Sequence, residues 1–496
     1  MARTIIVYHR QPFQEVIDAN GVSTFRPHSS PNGIVPTLRG YIASLPDPTE
    51  ALWLAWTQVE KQDNGRLLGE VVLPKSPPLA PSEMRVQRIG LSAELVRSFY
   101  HVTSKATLWP ILHSFPGRFD YDAAQWADFR EVNQIFADGV CEAADTGAVV
   151  WVHDYNLWLV PGLVRAKRPD LTIGFFLHTP FPSADVFGIL PWREEIIGSL
   201  LACDRIGFHI PRYAENFAAC AEAFCRAKPA RRQATSRAYA QVGSVLHQPA
   251  YTSQLSKNGH TTHLDVAPIG IDTGLISRTL QRKSIAEIRG RIRETLGVEK
   301  MLLSVGRVDY TKGTCEMLDA YDRLLSRRPE LQGKVKLCLT SVAPAAGMNH
   351  YADIQNDIEQ RVGSINGRYS RLGWTPILLF TTPIAFDELV AWYRAADICW
   401  ITPLRDGLNL VAKEFVACQR DGHGVLVLSD FTGAVIELDQ AIHVNPYSTR
   451  SMDAAIDEAL DMPAQEAHLR MQAMVEQVTQ HNIKTWTKKM VKLLAG

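Results

Sequence analysis

Two short segments of this chain place charged residues at spacings suited to a phosphorylated sugar. In Gly306-Arg307-Val308-Asp309-Tyr310-Thr311-Lys312-Gly313, two cations follow the apolar run Met301-Leu302-Leu303-Ser304-Val305. Arginine offers phosphate oxygens a bidentate fork and lysine a movable point charge. In Arg405-Asp406-Gly407-Leu408-Asn409-Leu410-Val411-Ala412-Lys413-Glu414, two carboxylates flank a glycine-containing turn that opens a helix. The N–H groups of Leu408, Asn409 and Leu410 would point at an anion, aided by the helix dipole. Glu414 can accept two hydroxyls of a ribose. Together these are the parts needed to hold a nucleotide sugar. The bland alternatives are a solvated loop at Arg307 and Lys312, and a helix-capping Asp406 with a surface Glu414. Neither segment is a Walker loop or Gly-x-Gly-x-x-Gly, which weakens ATPase and dinucleotide readings. A lysine Schiff base with pyridoxal phosphate has no support.

Further candidates stand in the first half. His178 ends an apolar run, and the following Pro180-Phe181-Pro182 turn would fix its ring for contact with a sugar hydroxyl; a satisfied core histidine is the alternative. Asp154, in Trp151-Val152-His153-Asp154-Tyr155-Asn156, also ends a strand-like run. It either faces the same site or caps a helix. Tyr100 and Trp109 fit an aromatic wall for a sugar, or core packing. The histidines and nearby acids lack metal-ligand spacing, so no metal and no cofactor is expected.

These residues need elements to position them. Apolar runs at 5–8, 148–153, 173–177 and 206–210, then at 301–305, 335–340, 377–380, 397–401, 425–428 and 441–444, alternate with helical patterns. Met317, Leu318, Tyr321, Leu324 and Leu325 make one apolar helix face. Such alternation predicts parallel sheets covered on both faces, with ligands at the carboxyl ends of the strands. With 496 residues, two large domains are expected. The expected division is an N-terminal acceptor-binding domain over 1–262 and a C-terminal nucleotide-sugar domain over 263–475. A final helix within 476–496 packs back toward the first on Ile483, Trp486, Met490 and Leu494. The expected architecture faces the two domains across a cleft holding the active site. Segment 74–81 reads as a surface loop.

Balanced charge, 52 basic against 52 acidic residues, argues against a nucleic-acid partner bound through a basic face. The chain has no apolar run approaching the ~20 residues of a membrane span. Its eight cysteines form no C-x-x-C pair and read as reduced thiols, and no room for a signal peptide precedes the first strand. The expected setting is cytoplasmic, and a homo-oligomer is compatible with the sequence.

At these residues the chain resembles the trehalose-6-phosphate synthase family, retaining glycosyltransferases of the GT-B fold with two Rossmann-like, doubly wound α/β domains. The resemblance runs nearly end to end. It includes His-Asp-Tyr at 153–155, Phe-Phe-Leu-His-x-Pro-Phe-Pro at 175–182, Pro-Ile-Gly-Ile-Asp at 268–272, Arg-x-Asp-Tyr-x-Lys-Gly at 307–313, Ile-Asn-Gly-Arg-Tyr at 365–369, and the 405–414 segment. It implies that Arg307 and Lys312 hold the donor diphosphate, Asp406 the transferred glucose, His178 its 6-hydroxyl and Glu414 the ribose. Gly33, Gly407, Leu408, Asn409, Leu410 and Val411 complete the donor site. Arg10, Tyr100, Trp109, Asp154, Tyr155 and Asn156 face the acceptor. Arg307, Lys312, Asp154 and His178 are the implied catalytic group, and domain closure would exclude water.

The departures from the family pattern lie mostly in the acceptor half. The usual Gly-Gly-Leu reads Pro31-Asn32-Gly33-Ile34, the usual His-Asp-Tyr-His ends in Asn156, and a Ser-Arg pair is missing from 342–347; in the donor half, Gly306 replaces the usual Glu. This pattern resembles the branch that joins glucose from ADP-glucose to sn-glycerol 3-phosphate for a compatible solute. A separate phosphatase is then expected to act next. The alternatives are a synthase using glucose 6-phosphate, a pseudo-glycosyltransferase joining cyclitols, and a non-catalytic sugar-phosphate sensor.

Overall fold

The computed structural model describes residues 2–17, 23–27, 32–73, 75, 82–239, 243–342 and 349–495. Pro31, segment 74–81 apart from Lys75, and 343–347 of the 342–347 segment lie outside the described residues. The chain divides into two compact units. One comprises Met1–Ser236, Gln248–Ile269 and Ile483–Gly496, the other Arg237–His247 and Gly270–Asn482.

The strands of the first unit are β1 (Ala2–Val7), β2 (Phe13–Ile17), β3 (Ser23–Pro27), β4 (Ala51–Val59), β5 (Val71–Leu73), β6 (Met84–Ser92), β7 (Ala144–His153), β8 (Thr172–Phe176), β9 (Arg205–Phe208), β10 (Lys228–Ala234), β11 (Ala250–Lys257) and β12 (His260–Val266). β2 and β3 form a separate hairpin, and the rest make one sheet in the order β10-β11-β12-β9-β8-β7-β1-β4-β6-β5. The seven strands from β12 to β6 run parallel; β10, β11 and β5 add antiparallel edges. Strand order reverses between β1 and β7. In doubly wound sheets that point opens a crevice at the carboxyl ends, because the connections depart to opposite faces.

The border expected at 262/263 falls inside β12, which pairs with β9, so the first unit runs on to Ile269. The polar stretch 253–262 ahead of it lies in an antiparallel hairpin, β11–β12. The helix Ile483–Leu494 buries Trp486, Met490 and Leu494. Trp486 stacks on Trp151 at 5.8 Å and donates to the Ala267 carbonyl at 3.0 Å.

In the second unit β13 (Lys300–Arg307), β14 (Val335–Val342), β15 (Ile377–Phe380), β16 (Ile398–Ile401), β17 (Val425–Ser429) and β18 (Ile442–Val444) pair in the order β15-β14-β13-β16-β17-β18. All pairs are parallel. The inner strands are continuous apolar runs because helices cover both faces. The helix Thr314–Arg327 buries Met317, Leu318, Tyr321, Leu324 and Leu325 against β13 and β14 residues such as Leu302 and Leu337. Each such side chain contributes roughly 1.5–3 kcal/mol by leaving water. The Asn366 side chain exchanges two hydrogen bonds with the backbone of Ile377, at 3.0 and 3.1 Å, anchoring the start of β15. Here the reversal lies between β13 and β16.

Candidate functional site

The loops at the second unit's reversal carry the two charged segments. Arg307 closes β13 with an exposed side chain. Asp309 is buried and accepts from the Thr311 N–H at 3.0 Å, capping the 3-10 turn Tyr310–Lys312. That turn delivers Lys312, whose Nζ lies 2.7 Å from Asp406 Oδ2. Gly313 has φ 63°, and a Cβ there would lie 2.1 Å from the Thr402 carbonyl oxygen. A glycine therefore lets the β13 and β16 loops touch. The Leu404 N–H donates to the Thr311 carbonyl at 2.7 Å across the same seam.

Asp406 is held from three sides. Its N–H donates to Phe431 O at 3.1 Å, its carbonyl accepts from the Gly433 N–H at 3.2 Å, and Asn409 Nδ2 donates to its carboxylate at 3.2 Å. Asn409, not Asp406, caps the helix Leu410–Cys418: at φ 75° its side chain accepts from the Ala412 N–H at 3.0 Å. Asp406 is thus left to face Lys312. Glu414 is buried, and Tyr393 Oη donates to its Oε2 at 2.9 Å. Burial, and next the Glu414 carboxylate, push the Tyr393 phenol well above its usual range, so it remains a donor. Beside it Lys413 and Glu437 form a buried ion pair at 2.5 Å that ties the helix to the turn Gly433–Ile436. The reversal thus brings Lys312 and Asp406 together at a helix start, with Glu414 buried deeper in the helix and Arg307 exposed at the end of β13.

In the first unit the loops after β1 and β7 hold Arg10 and Asp154. Arg10 donates to Tyr100 Oη at 2.9 Å, while its carbonyl accepts from Trp53 Nε1 at 2.9 Å. Asp154 has φ 69° and is 6% exposed. Burial pushes its carboxyl up to about 6, against the opposing pull of the Tyr155 N–H, Lys105 and Arg10. His178 follows β8, with its Nε2 3.1 Å from His153 Nδ1 and the His209 ring 5.6 Å away. Burial holds the His178 imidazole well below its usual range, with its histidine neighbours adding to the shift. A neutral ring suits hydrogen bonding to a hydroxyl. Gly33, at φ 115°, starts the helix Ile34–Ile42, and among the described residues, its chain neighbours apart, no atom stands within 4 Å of where a Cβ would sit.

Tyr155 and Asn156 are buried below the surface. Asn156 Nδ2 donates to Ser104 Oγ at 2.8 Å, and its carbonyl accepts from Asn133 at 3.2 Å. It holds the turn that presents Asp154. Trp109, 8% exposed, packs against His113, the ring centroids 3.9 Å apart and the planes tilted by 34°.

Residues 97–108 form a π-helix, so Tyr100, Lys105 and Trp109 lie near one face: about 4.4 residues per π turn returns the chain after nine positions. At the 3.6 residues per turn of an α-helix, Trp109 would point opposite Tyr100. Lys105 is a residue that sequence reasoning missed, because its register is visible only with the π geometry. Its Nζ lies 3.9 Å from the Trp109 ring centroid and 5.8 Å from that of Tyr100. Tyr393 was missed too; nothing marks it in sequence beyond an apolar helix face. Among the described residues, no group of three or more His, Cys, Asp or Glu is placed to hold a metal ion, and no helix is long and apolar enough to cross a membrane.

Comparison with known proteins gives one family. The glycosyltransferase family 20 model matches residues 2–496. Glucosylglycerol-phosphate synthase of Picosynechococcus sp. is 46% identical over 98% of this chain and 96% of its own length. The protein of the same name from Synechocystis sp. is 44% identical over the same shares. An α,α-trehalose-phosphate synthase (UDP-forming) from Burkholderia xenovorans, solved with glucose 6-phosphate, is 29% identical and superposes with a TM-score of 0.83, with full coverage of both chains.

Proposed function

The chain belongs to glycosyltransferase family 20, and from that premise we propose that it transfers glucose from ADP-glucose to sn-glycerol 3-phosphate, giving 2-O-(α-D-glucosyl)-glycerol 3-phosphate. The observation that carries the reading is the anion site at the second unit's reversal. There Lys312 pairs with Asp406 ahead of the helix Leu410–Cys418, and Arg307 ends the strand β13 from which the Lys312 loop departs. The acceptor assignment is supported by the higher identity to glucosylglycerol-phosphate synthases than to the glucose-6-phosphate-bound neighbour.

In the proposed reaction the bond between glucose C1 and the diphosphate oxygen breaks, and its electron pair leaves with the nucleotide. The acceptor hydroxyl oxygen bonds C1 from the same face, and its proton passes to the departing phosphate oxygen. Preorganised cations and N–H groups aimed at the leaving group lower this barrier, because its charge grows as the bond breaks. Asp406 binds the transferred glucose, Glu414 the ribose, and His178 the sugar's 6-hydroxyl. Arg10, with Tyr100, takes the acceptor phosphate, and Asp154 an acceptor hydroxyl. The reading places the protein in the cytoplasm, where its eight free cysteines stay reduced, and calls for a separate phosphatase to release glucosylglycerol.

The test is product mass with ADP-, UDP- and GDP-glucose against glycerol 3-phosphate and glucose 6-phosphate. The reading expects glucosylglycerol phosphate from ADP-glucose, undiminished by EDTA. Trehalose 6-phosphate as the main product would overturn the acceptor assignment, and loss of turnover in EDTA would overturn the metal-free mechanism.

A further inference from the structure

We propose that Lys105 is a second cation for the acceptor's phosphate, working with Arg10 across the Tyr100 phenol. The inference rests on the reading that the first unit's reversal binds a phosphorylated acceptor, and it adds a residue to that site.

The geometry starts with the π-helix Arg97–Leu108, which turns Tyr100, Lys105 and Trp109 toward one side. Arg10 reaches Tyr100 from the β1 loop, its guanidinium 2.9 Å from the phenol oxygen. Lys105 reaches the same ring from the helix, its Nζ 5.8 Å from the centroid. Two cations from different elements therefore flank one side chain. The shorter contact of Lys105, 3.9 Å to the Trp109 ring, is cation–π, which orients an ammonium without neutralising it. Both cations act on the same buried neighbours: they oppose the rise of the Asp154 carboxyl and add to the fall of the His9 imidazole. A buried imidazole held neutral adds no competing charge.

The division of labour follows from the side chains. Arg10 offers a planar fork fixed by Tyr100, and Lys105 a point charge on a flexible stem that can follow phosphate oxygens. An acceptor of three carbons has few hydroxyls to recognise. Its phosphate must therefore supply most of its binding, and a second cation meets that need. A purely structural Lys105, clamping Trp109, predicts no preference for phosphate.

The experiment compares wild type with Lys105→Met, which keeps the stem, and Lys105→Arg, which keeps the charge. It reads KM for glycerol 3-phosphate and for ADP-glucose, and inhibition by inorganic phosphate competing with the acceptor. Loss of a charge-assisted contact should raise the acceptor KM and the phosphate inhibition constant about tenfold or more, with the donor KM changed less than about twofold. Lys105→Arg should recover most of the loss. Unchanged phosphate inhibition, or a parallel rise in donor KM, would overturn the proposal. If Lys105→Met does not fold, Lys105→Gln replaces it under the same criteria. A wild type that glucosylates glucose 6-phosphate instead would overturn the acceptor reading alone, since phosphate inhibition still tests Lys105.

Discussion

Asp154 is a buried carboxylate on a strained backbone, at φ 69° and 6% exposure. A non-glycine residue pays of order 1–3 kcal/mol to stay in such a region, and burial has pushed its carboxyl up to about 6. The sign of the pH effect follows. Between the unfolded value near 4 and about 6, the folded state keeps a proton that the unfolded chain has released, so stability falls as pH rises through that window. Asp154→Asn removes this penalty. It should stabilise the protein by about 1–3 kcal/mol at pH 7.5 while abolishing acceptor turnover, and the stability gain should shrink toward zero at pH 4. Thermal unfolding across pH checks this; a destabilised variant at pH 7.5 would contradict it. Several site residues could be picked out from sequence because each ends an apolar run: Arg307 at the end of β13, Asp154 after β7 and His178 after β8. Lys105 and Tyr393 lie inside helices, where position on the strand edge gives no clue. The pairing of Lys312 with Asp406 across 94 positions was equally hidden, since only the adjacency of β13 and β16 creates it.

At the scale of elements, the turn at Gly313 sets how closely the two donor loops approach. Gly313→Ala drives a methyl to 2.1 Å from the Thr402 carbonyl oxygen at φ 63°. It should cost about 2–4 kcal/mol of stability and weaken ADP binding, because Lys312 and Asp406 must part to relieve the clash. Calorimetry and ADP titration check both; a stable variant with native ADP affinity would contradict the role given to this turn. The elements missed from sequence each depart from the simple apolar patterns in their own way. β4, Ala-Leu-Trp-Leu-Ala-Trp-Thr-Gln-Val, is rich in Ala and Leu and lacks the bounded β-branched look of β7 or β17. β6, Met-Arg-Val-Gln-Arg-Ile-Gly-Leu-Ser, interleaves charge because it lies beside the short strand β5 near the sheet edge, where Arg85 pairs with Glu70 at 2.7 Å. The π-helix is hidden because propensity describes a 3.6-residue period, and a wider turn is imposed by packing.

Across the whole molecule, the two sheets share one logic. Each places its first parallel strand centrally, sends the next two to one side and the later ones to the other. The chemistry-bearing loops of each unit emerge where that order reverses, after β1 and β7 and after β13 and β16. Alternating apolar runs were enough to anticipate parallel α/β sheets. They did not locate the antiparallel edge strands β10 and β11 or the parallel strand β12 beside them, which carries the first unit past its expected border to Ile269. The account as a whole depends on the cations of the second unit receiving the charge of the departing diphosphate. The single-turnover rate of Arg307→Ala with saturating ADP-glucose and glycerol 3-phosphate tests this most directly. The expected result is a fall of about 10²-fold or more in a folded variant; a rate equal to wild type would contradict it.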